Sequence, residues 1–156
     1  MARPRAGWTA TFYGADADPG TAPYDTIAAA SVAAATGATS ATVYIVAPKA
    51  TWEFTINTLE SVDGHRRARR DRRRVFNVEC LPFKYDDDAS EPDLDDLDTL
   101  SGVMEKAYLW VTITGGSNTW PTSGVMPVTM EAWEQSVNKS SGWHDLTVSL
   151  AHRDRY

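Results

Sequence analysis

The sequence predicts a mainly β protein of the α+β kind, an antiparallel β-sandwich or open barrel with one packed α-helix and one long protruding β-hairpin. Three observations predict this fold class. Apolar residues mostly alternate with polar ones, which is the period of half-buried strands. One segment, about 90–106, instead has the apolar spacing of a helix. An arginine-rich connector, about 60–74, joins two of the alternating segments and is too charged to lie in a core.

Size and composition are those of one globular domain covering residues 1–156. The chain is 42% hydrophobic and 23% charged, which is typical of a protein with a single core. We expect an extended N-terminal arm or loop over 1–25 and an acidic linker over 84–91. No apolar run follows the basic residues near the N-terminus, and no apolar stretch reaches the length of a membrane helix. The sequence therefore predicts a soluble protein without a signal peptide.

The first elements in chain order are a strand over 8–13 and a loop over 14–24 that is rich in glycine, proline and aspartate. Alanine in 27–37 favours a helix, with Gly37 as its stop, although the alanine and threonine content also allows a strand there. The β-branched segment 39–46 predicts a further strand.

The arginine-rich connector lies between two segments, 51–59 and 75–83, in which apolar and polar residues alternate. These segments are predicted to pair as a long antiparallel hairpin whose tip or arms carry the arginines. If residues 60–74 fold back as two extended arms, the tip reaches about 23 Å from the body, at about 3.3 Å per residue. A lone domain gains little from such a projection, whereas a subunit of an assembly can use it to hold a neighbour.

The helix is predicted to begin with Ser90 as its N-cap, because aspartates fill the first turn, where the helix dipole favours anions. Leucine and methionine recur at spacings of three and four and form one apolar stripe, made by Leu94, Leu97, Leu100 and Met104. Three strands follow, over 107–114, 125–133 and 143–153. A loop over 115–124 and a turn over 138–142 separate them.

Charge is divided between two opposed segments. Residues 64–74 contain seven arginines and one aspartate, giving +6, whereas residues 84–98 contain eight acids and one lysine, giving −7. The whole chain carries −6, which argues against general coating of nucleic acid. The leading hypothesis is a clamp in which arginines of one subunit bind carboxylates of the next. The predicted interface residues are Arg66, Arg67, Arg69, Arg70, Arg72, Arg73, Asp86, Asp87, Asp88, Asp95, Asp96 and Trp120.

Two alternatives to the clamp remain open. The arginines can bind phosphates, which would make the hairpin a nucleic-acid-binding module. The absence of aromatic residues among the arginines counts against stacking of bases. The other alternative is a solvated loop without a partner.

Residue patterns for catalysis or metal binding are absent from the sequence. Asp86, Asp88 and Ser90 alternate as in an EF-hand loop, but Glu91 stands where glycine is required and Leu97 where the bidentate glutamate is required. The three histidines, His65, His144 and His152, lack the spacing of zinc ligands. Cys80 lies in an apolar strand and is expected in the core. We therefore expect no enzyme activity, no cofactor, no metal and no small-molecule substrate.

Three segments together carry a family resemblance: the helix within 90–106, the arginine-rich connector and following strand at 64–76, and the closing strand at 143–153. The chain in this respect resembles structural tail proteins of long-tailed bacteriophages, in the tail-tube, tail-terminator and distal-tail group. The resemblance covers roughly residues 40–153. It implies a virion protein assembled in the host cytoplasm, with copies of itself in a hexameric ring and other tail proteins as partners. It also implies a lumen for DNA passage and no membrane.

Overall fold

The computed structural model describes residues 7–17, 27–46, 49–60, 66–84 and 93–152, with side chains described outside 49–74. The described elements, in chain order, are β1 (Trp8–Ala15), α1 (Ala29–Ala33), β2 (Thr39–Ile45), β3 (Lys49–Glu60), β4 (Arg66–Glu79), α2 (Leu94–Met104), β5 (Tyr108–Gly115), β6 (Asn118–Trp120), β7 (Met126–Val137) and β8 (His144–His152). The predicted N-terminal arm and acidic linker fall partly or wholly on residues outside this description and stay predictions. Neither described helix is long and apolar enough to cross a membrane.

One antiparallel sheet with the strand order β2-β1-β5-β7-β8-β4-β3 forms the body of the protein, and β6 pairs with β5. The sheet is not closed into a continuous barrel. One end strand, β2, meets the residue that follows β4 at the bridge between Ile45 and Cys80. Beside this bridge, the Val46 nitrogen donates to the Glu79 oxygen over 2.8 Å, and the Leu81 nitrogen donates to the Tyr44 oxygen over 3.0 Å. The predicted mainly β antiparallel fold with a packed helix is confirmed.

The main core lies between the inner face of this sheet and α2. Alternate residues of each strand point inward, as the period of two requires. The buried strand residues include Phe12, Val43, Phe76, Val78, Val111, Ile113, Val148 and Leu150. From α2 the core receives Leu97, Leu100, Val103 and Met104, while Leu94 is half-buried beside it. Burial of each large apolar side chain stabilises the fold by about 1.5–3 kcal/mol. The predicted apolar stripe of the helix is confirmed, with Val103 added.

A second apolar cluster lies on the opposite face of β1 and β5, under α1. Ala15, Val32, Trp110 and Val125 are buried there. The predicted helix over 27–37 shortens to Ala29–Ala33, because Ile27 is held in a bridge with Val125 and is extended rather than helical. This second cover gives β5 apolar contacts on both faces, which explains its nearly continuous apolar sequence.

The start of α2 differs from the prediction. Asp93 is extended, with φ −126° and ψ −177°, and caps a helix that begins at Leu94. Its Oδ1 accepts from the Asp96 nitrogen over 3.0 Å, and Asp96 Oδ2 accepts from the Asp93 nitrogen over 3.0 Å. This reciprocal pair is a capping box. Ser90, which lies outside the described residues, is therefore not the N-cap, and that prediction is wrong.

Smaller differences concern strand ends. The loop predicted over 115–124 contains the short strand β6, and β7 continues to Val137 past an irregularity between Met130 and Ala132. The strand predicted to 83 ends at Glu79. Beyond it the chain follows β8 by separate contacts, such as the bond from the Phe83 nitrogen to the His144 oxygen over 2.9 Å.

Candidate assembly interface

The arginine-rich segment forms one arm of a two-stranded hairpin. β3 and β4 pair continuously from Lys49 opposite Asn77 to Glu60 opposite Arg66. β8, in contrast, pairs with β4 between Val75 and Glu79. Among the described strands, residues 66–74 therefore pair with β3 alone. We call residues 52–60 and 66–74 the arginine hairpin. Each of its nine-residue arms spans about 30 Å, at about 3.3 Å per residue.

An antiparallel hairpin of β3 and β4 is present, as predicted, but its register differs from the prediction: residues 51–59 pair with 67–75 rather than with 75–83. The arginines occupy one arm rather than the tip, since β4 begins at Arg66. The turn at 61–65 lies outside the described residues. The strand ladder therefore fixes the register positions of all seven arginines.

Register divides the arginine hairpin into two faces, because directly opposed residues of an antiparallel pair lie on the same face. The core-side face continues the face of Phe76, which is 2% exposed. Its pairs are Trp52–Arg74, Phe54–Arg72, Ile56–Arg70, Thr58–Ala68 and Glu60–Arg66. The outer face has the pairs Glu53–Arg73, Thr55–Asp71, Asn57–Arg69 and Leu59–Arg67. The predicted interface arginines are therefore split, three to each face, and Arg74 joins the core side.

This register corrects one premise drawn from the sequence. Aromatic residues are absent between the arginines along the chain, but Trp52 and Phe54 stand opposite Arg74 and Arg72 on the neighbouring strand. Two aromatic positions on β3 therefore lie beside arginine positions on β4 in the core-side face. Sequence order alone does not show this, since the pairing joins residues about 20 positions apart.

The predicted acidic interface residues are only partly described. Asp86, Asp87 and Asp88 lie outside the described residues. Asp95 and Asp96 are exposed in the first turn of α2. The Asp96 carboxylate belongs to the capping box, whereas Asp95 lies on the solvent face of the helix. The same face carries Asp98 and Glu105, which were not among the predicted residues. Their spacing from Asp95, three and ten residues, would have identified them.

Trp120 contacts its own subunit. Its ring centroid lies 4.4 Å from that of Phe76, with an angle of 45° between the ring planes. It is half-buried and packs against the main core. Because Phe76 adjoins the base of the arginine hairpin, Trp120 lies at the foot of the core-side face. Its burial by a partner stays a prediction.

Groups with catalytic or metal-binding potential are dispersed. Within the described ranges, no three residues of the types histidine, cysteine, aspartate and glutamate are grouped to hold a metal ion. Cys80 is buried, as predicted, and burial together with Glu79 raises the pKa of its thiol from 9.0 to about 12. Such a thiol is protonated at neutral pH and is a poor nucleophile. His144 Nδ1 lies 3.0 Å from Gln135 Nε2, and Trp133 Nε1 donates to Gln135 Oε1 over 3.2 Å.

No protein-family model matches the chain, and the search of curated proteins gave no match. Among solved structures, the chain is similar to one from the tail of an empty GTA particle, computed with helical refinement in C6 symmetry. The TM-score is 0.43 and the sequence identity is 12%, over 72% of this chain and 80% of that chain. At this TM-score the similarity supports no conclusion about function.

Proposed function

We propose that the chain is a non-enzymatic structural subunit of a phage virion tail or tail tip, assembled in the host cytoplasm. It forms a ring, hexameric by the family resemblance of its sequence, through charge and β-sheet contacts with copies of itself and with other tail proteins. The lumen of such a ring would pass DNA. One observation carries the assembly part of this proposal: residues 66–74 pair with β3 and with no other described strand.

The energetics of the arginine hairpin support a partner outside its own subunit. Ordering each residue costs about 1–2 kcal/mol of backbone entropy. A two-stranded ribbon without further cover is marginally stable in water. Among the described strands, β8 reaches β4 only between Val75 and Glu79, so it does not pair with residues 66–74. A long, regular arm of this kind is explained when a second chain covers it.

Open strand edges support sheet contacts between subunits. β3 is the last strand of the sheet order, so its second edge has no partner among the described strands. This edge is 12 residues long. Unpaired backbone donors and acceptors along such an edge are a template for pairing with another chain.

The distribution of charge along the chain supports a second copy of the same chain as the partner. The +6 segment and the −7 segment occur in one chain, so every copy offers both a donor and a receiver. Each exposed ion pair contributes about 0–1 kcal/mol. Several pairs are therefore needed, and they would define the register of neighbouring subunits more than they would tighten the assembly.

Replacement of Arg66, Arg67, Arg69 and Arg70 by serine tests the proposal. We expect a folded monomer by circular dichroism and loss of oligomers by size-exclusion chromatography with light scattering. The matched control is Lys139→Ser, which removes an exposed cation from the turn between β7 and β8 and should leave the oligomer intact. Unchanged assemblies of the fourfold variant would contradict the clamp.

A second candidate function is a nucleic-acid-binding module, which the positions of Trp52 and Phe54 opposite arginines favour. Single strands bind positive grooves with aromatic platforms, and stacking contributes about 1–3 kcal/mol per base. The measurement is binding of single-stranded DNA as salt is raised. This function predicts that log K falls linearly with log salt concentration, with a slope of about −0.7 per phosphate contacted. Absence of binding at about 50 mM salt would eliminate it.

A further inference from the structure

We propose that the core-side face of the arginine hairpin docks on the solvent face of α2 in a second copy of the chain. This inference rests on the proposed function and names the receiving surface. It assigns Arg70, Arg72 and Arg74 as the donors. It assigns Asp95, Asp98 and Glu105 as the acceptors.

The solvent face of α2 is a narrow acidic stripe. Asp95, Asp98, Gly102 and Glu105 are all exposed. Their spacings of three, four and three residues place them along one side of the helix, over about 15 Å at 1.5 Å per residue. None of the three carboxylates forms an ion pair or a side-chain hydrogen bond with a described residue. The neighbouring cation, Lys106, forms an ion pair with Asp16, with 3.1 Å between Lys106 Nζ and Asp16 Oδ2.

Two residues of this stripe are unfavourable for the helix itself. Glycine inside a helix is less stable than alanine, and a Cβ at Gly102 would meet nothing within 4 Å. Packing within the subunit therefore does not require this glycine. Glu105 places a negative charge at the negative end of the helix dipole, and the last turn contains no basic residue. Close approach of a cationic partner explains both residues. Gly102 has no side chain and leaves room for the partner, and arginines of the partner stabilise the negative charge of Glu105.

The dimensions of the two surfaces agree. Alternate strand residues are about 6.7 Å apart, so Arg70, Arg72 and Arg74 span about 13 Å. The acidic stripe spans about 15 Å. Arginine forks bind carboxylates in bidentate pairs, which favours this matched spacing. The apolar positions Trp52, Phe54 and Ile56 stand opposite these arginines and would meet the stripe where Gly102 leaves it flat.

Charge distinguishes the core-side face from the outer face. Four arginines and one acid, Glu60, occupy the core-side positions, whereas three arginines and two acids, Glu53 and Asp71, occupy the outer positions. The core-side face is therefore the more complementary to an acidic stripe. Within one subunit, the main strand contacts of α2 are with β2 and β1, and the main contacts of β3 are with β4. The receiving helix accordingly belongs to another copy.

Charge exchange tests the docking. One variant reverses the hairpin with Arg70→Glu, Arg72→Glu and Arg74→Glu. A second reverses the helix with Asp95→Arg, Asp98→Arg and Glu105→Arg. Each alone should weaken self-association, measured by analytical ultracentrifugation, at least about tenfold, because like charges then face each other. A chain with both sets of changes should regain association. An equimolar mixture of the two single-set variants should also associate.

The control is Glu79→Gln, Glu131→Gln and Glu134→Gln, which removes three exposed acids from strand surfaces and should leave association unchanged. Circular dichroism confirms that each variant is folded. If hairpin reversal abolishes association and helix reversal does not, the docking on α2 is wrong while the proposed function stands. If neither reversal has an effect, the docking is wrong, and the fourfold serine variant described above decides separately whether the proposed function stands. Failure of the combined chain and of the mixture to associate also overturns the docking.

Discussion

At the scale of single residues, the neighbouring aspartates Asp95 and Asp96 in α2 have different structural roles. The Asp96 carboxylate accepts from the Asp93 nitrogen over 3.0 Å and closes the capping box. Asp95, one position earlier, makes no such contact and faces solvent. The sequence placed both in the predicted interface because both belong to the acidic segment 84–98. It could not separate them, since the helix start was predicted three residues before the observed N-cap.

Asp93→Ala should lower the free energy of unfolding by about 1 kcal/mol, because the cap of α2 is lost. Urea unfolding measures this change under conditions in which the protein is monomeric. Asp98→Ala is the control, since an exposed acid without a described partner should change stability by less than about 0.5 kcal/mol. Equal losses in the two variants would show that the capping box does not stabilise the helix.

Gly102→Ala should stabilise the monomer by up to about 1 kcal/mol, because alanine is the better helix former and its Cβ has open space. The same variant should weaken association if a second copy approaches this face closely. Urea unfolding and sedimentation measure the two effects separately. A more stable monomer with unchanged association would speak against close approach at Gly102.

The raised pKa of the Cys80 thiol makes the free energy of unfolding depend on pH. The unfolded chain loses the thiol proton near pH 9, whereas the folded chain holds it to about pH 12. Stability contributed by Cys80 is therefore complete below pH 9 and is lost as pH rises from 9 to 12. The measurement is the difference in unfolding free energy between the native protein and Cys80→Ala. A difference that is constant with pH would contradict the burial of the thiol.

At the scale of elements, local pattern predicted most of the fold. The apolar run at 107–114 became β5, and the leucine spacing became α2. The turn over 138–142 is present, with the Gly142 nitrogen donating to the Asn138 oxygen over 2.7 Å. Strand β6 was missed because three residues, Asn118–Trp120, are too few to show a period. The helix predicted over 27–37 is too long, because helix propensity takes no account of the bridge between Ile27 and Val125.

The arginine hairpin should be separable from the folded body. Replacement of residues 55–71 by Asn-Gly joins Phe54 to Arg72, which stand directly opposite each other, through a favoured two-residue turn. We expect the shortened chain to unfold cooperatively with a melting temperature within a few degrees of the native monomer, about 4 °C for 1 kcal/mol. Differential scanning calorimetry gives the comparison. A melting temperature lowered by far more than this would show that the hairpin supports the body.

At the scale of the whole molecule, strand order was beyond prediction from the sequence. β8 lies between β7 and β4, and β1 lies between β2 and β5. These neighbours include pairs that are far apart in the chain, such as Val75 and Ala151. Period and propensity identify a strand but do not specify a distant partner. For the same reason the sequence placed arginines on a hairpin without showing which aromatic positions stand opposite them.

The charge distribution also belongs to the whole molecule. A basic hairpin and an acidic helix face occur on one chain, and neither β3 nor β4 is among the main contacts of α2. An assembly held by such pairs should weaken as salt screens them, with a Debye length of about 10 Å at 0.1 M and 3 Å at 1 M. The apolar positions of the core-side face would retain part of the association at high salt.

The mass of the particle in solution shows whether the arginine hairpin joins one subunit to another. Light scattering and negative-stain images are recorded for the intact chain and for the chain shortened between Phe54 and Arg72. We predict closed rings or stacked rings for the intact chain and a folded single copy for the shortened one. A single copy for the intact chain at every concentration, or identical rings for both chains, would contradict the claim that the arginine hairpin joins one subunit to another.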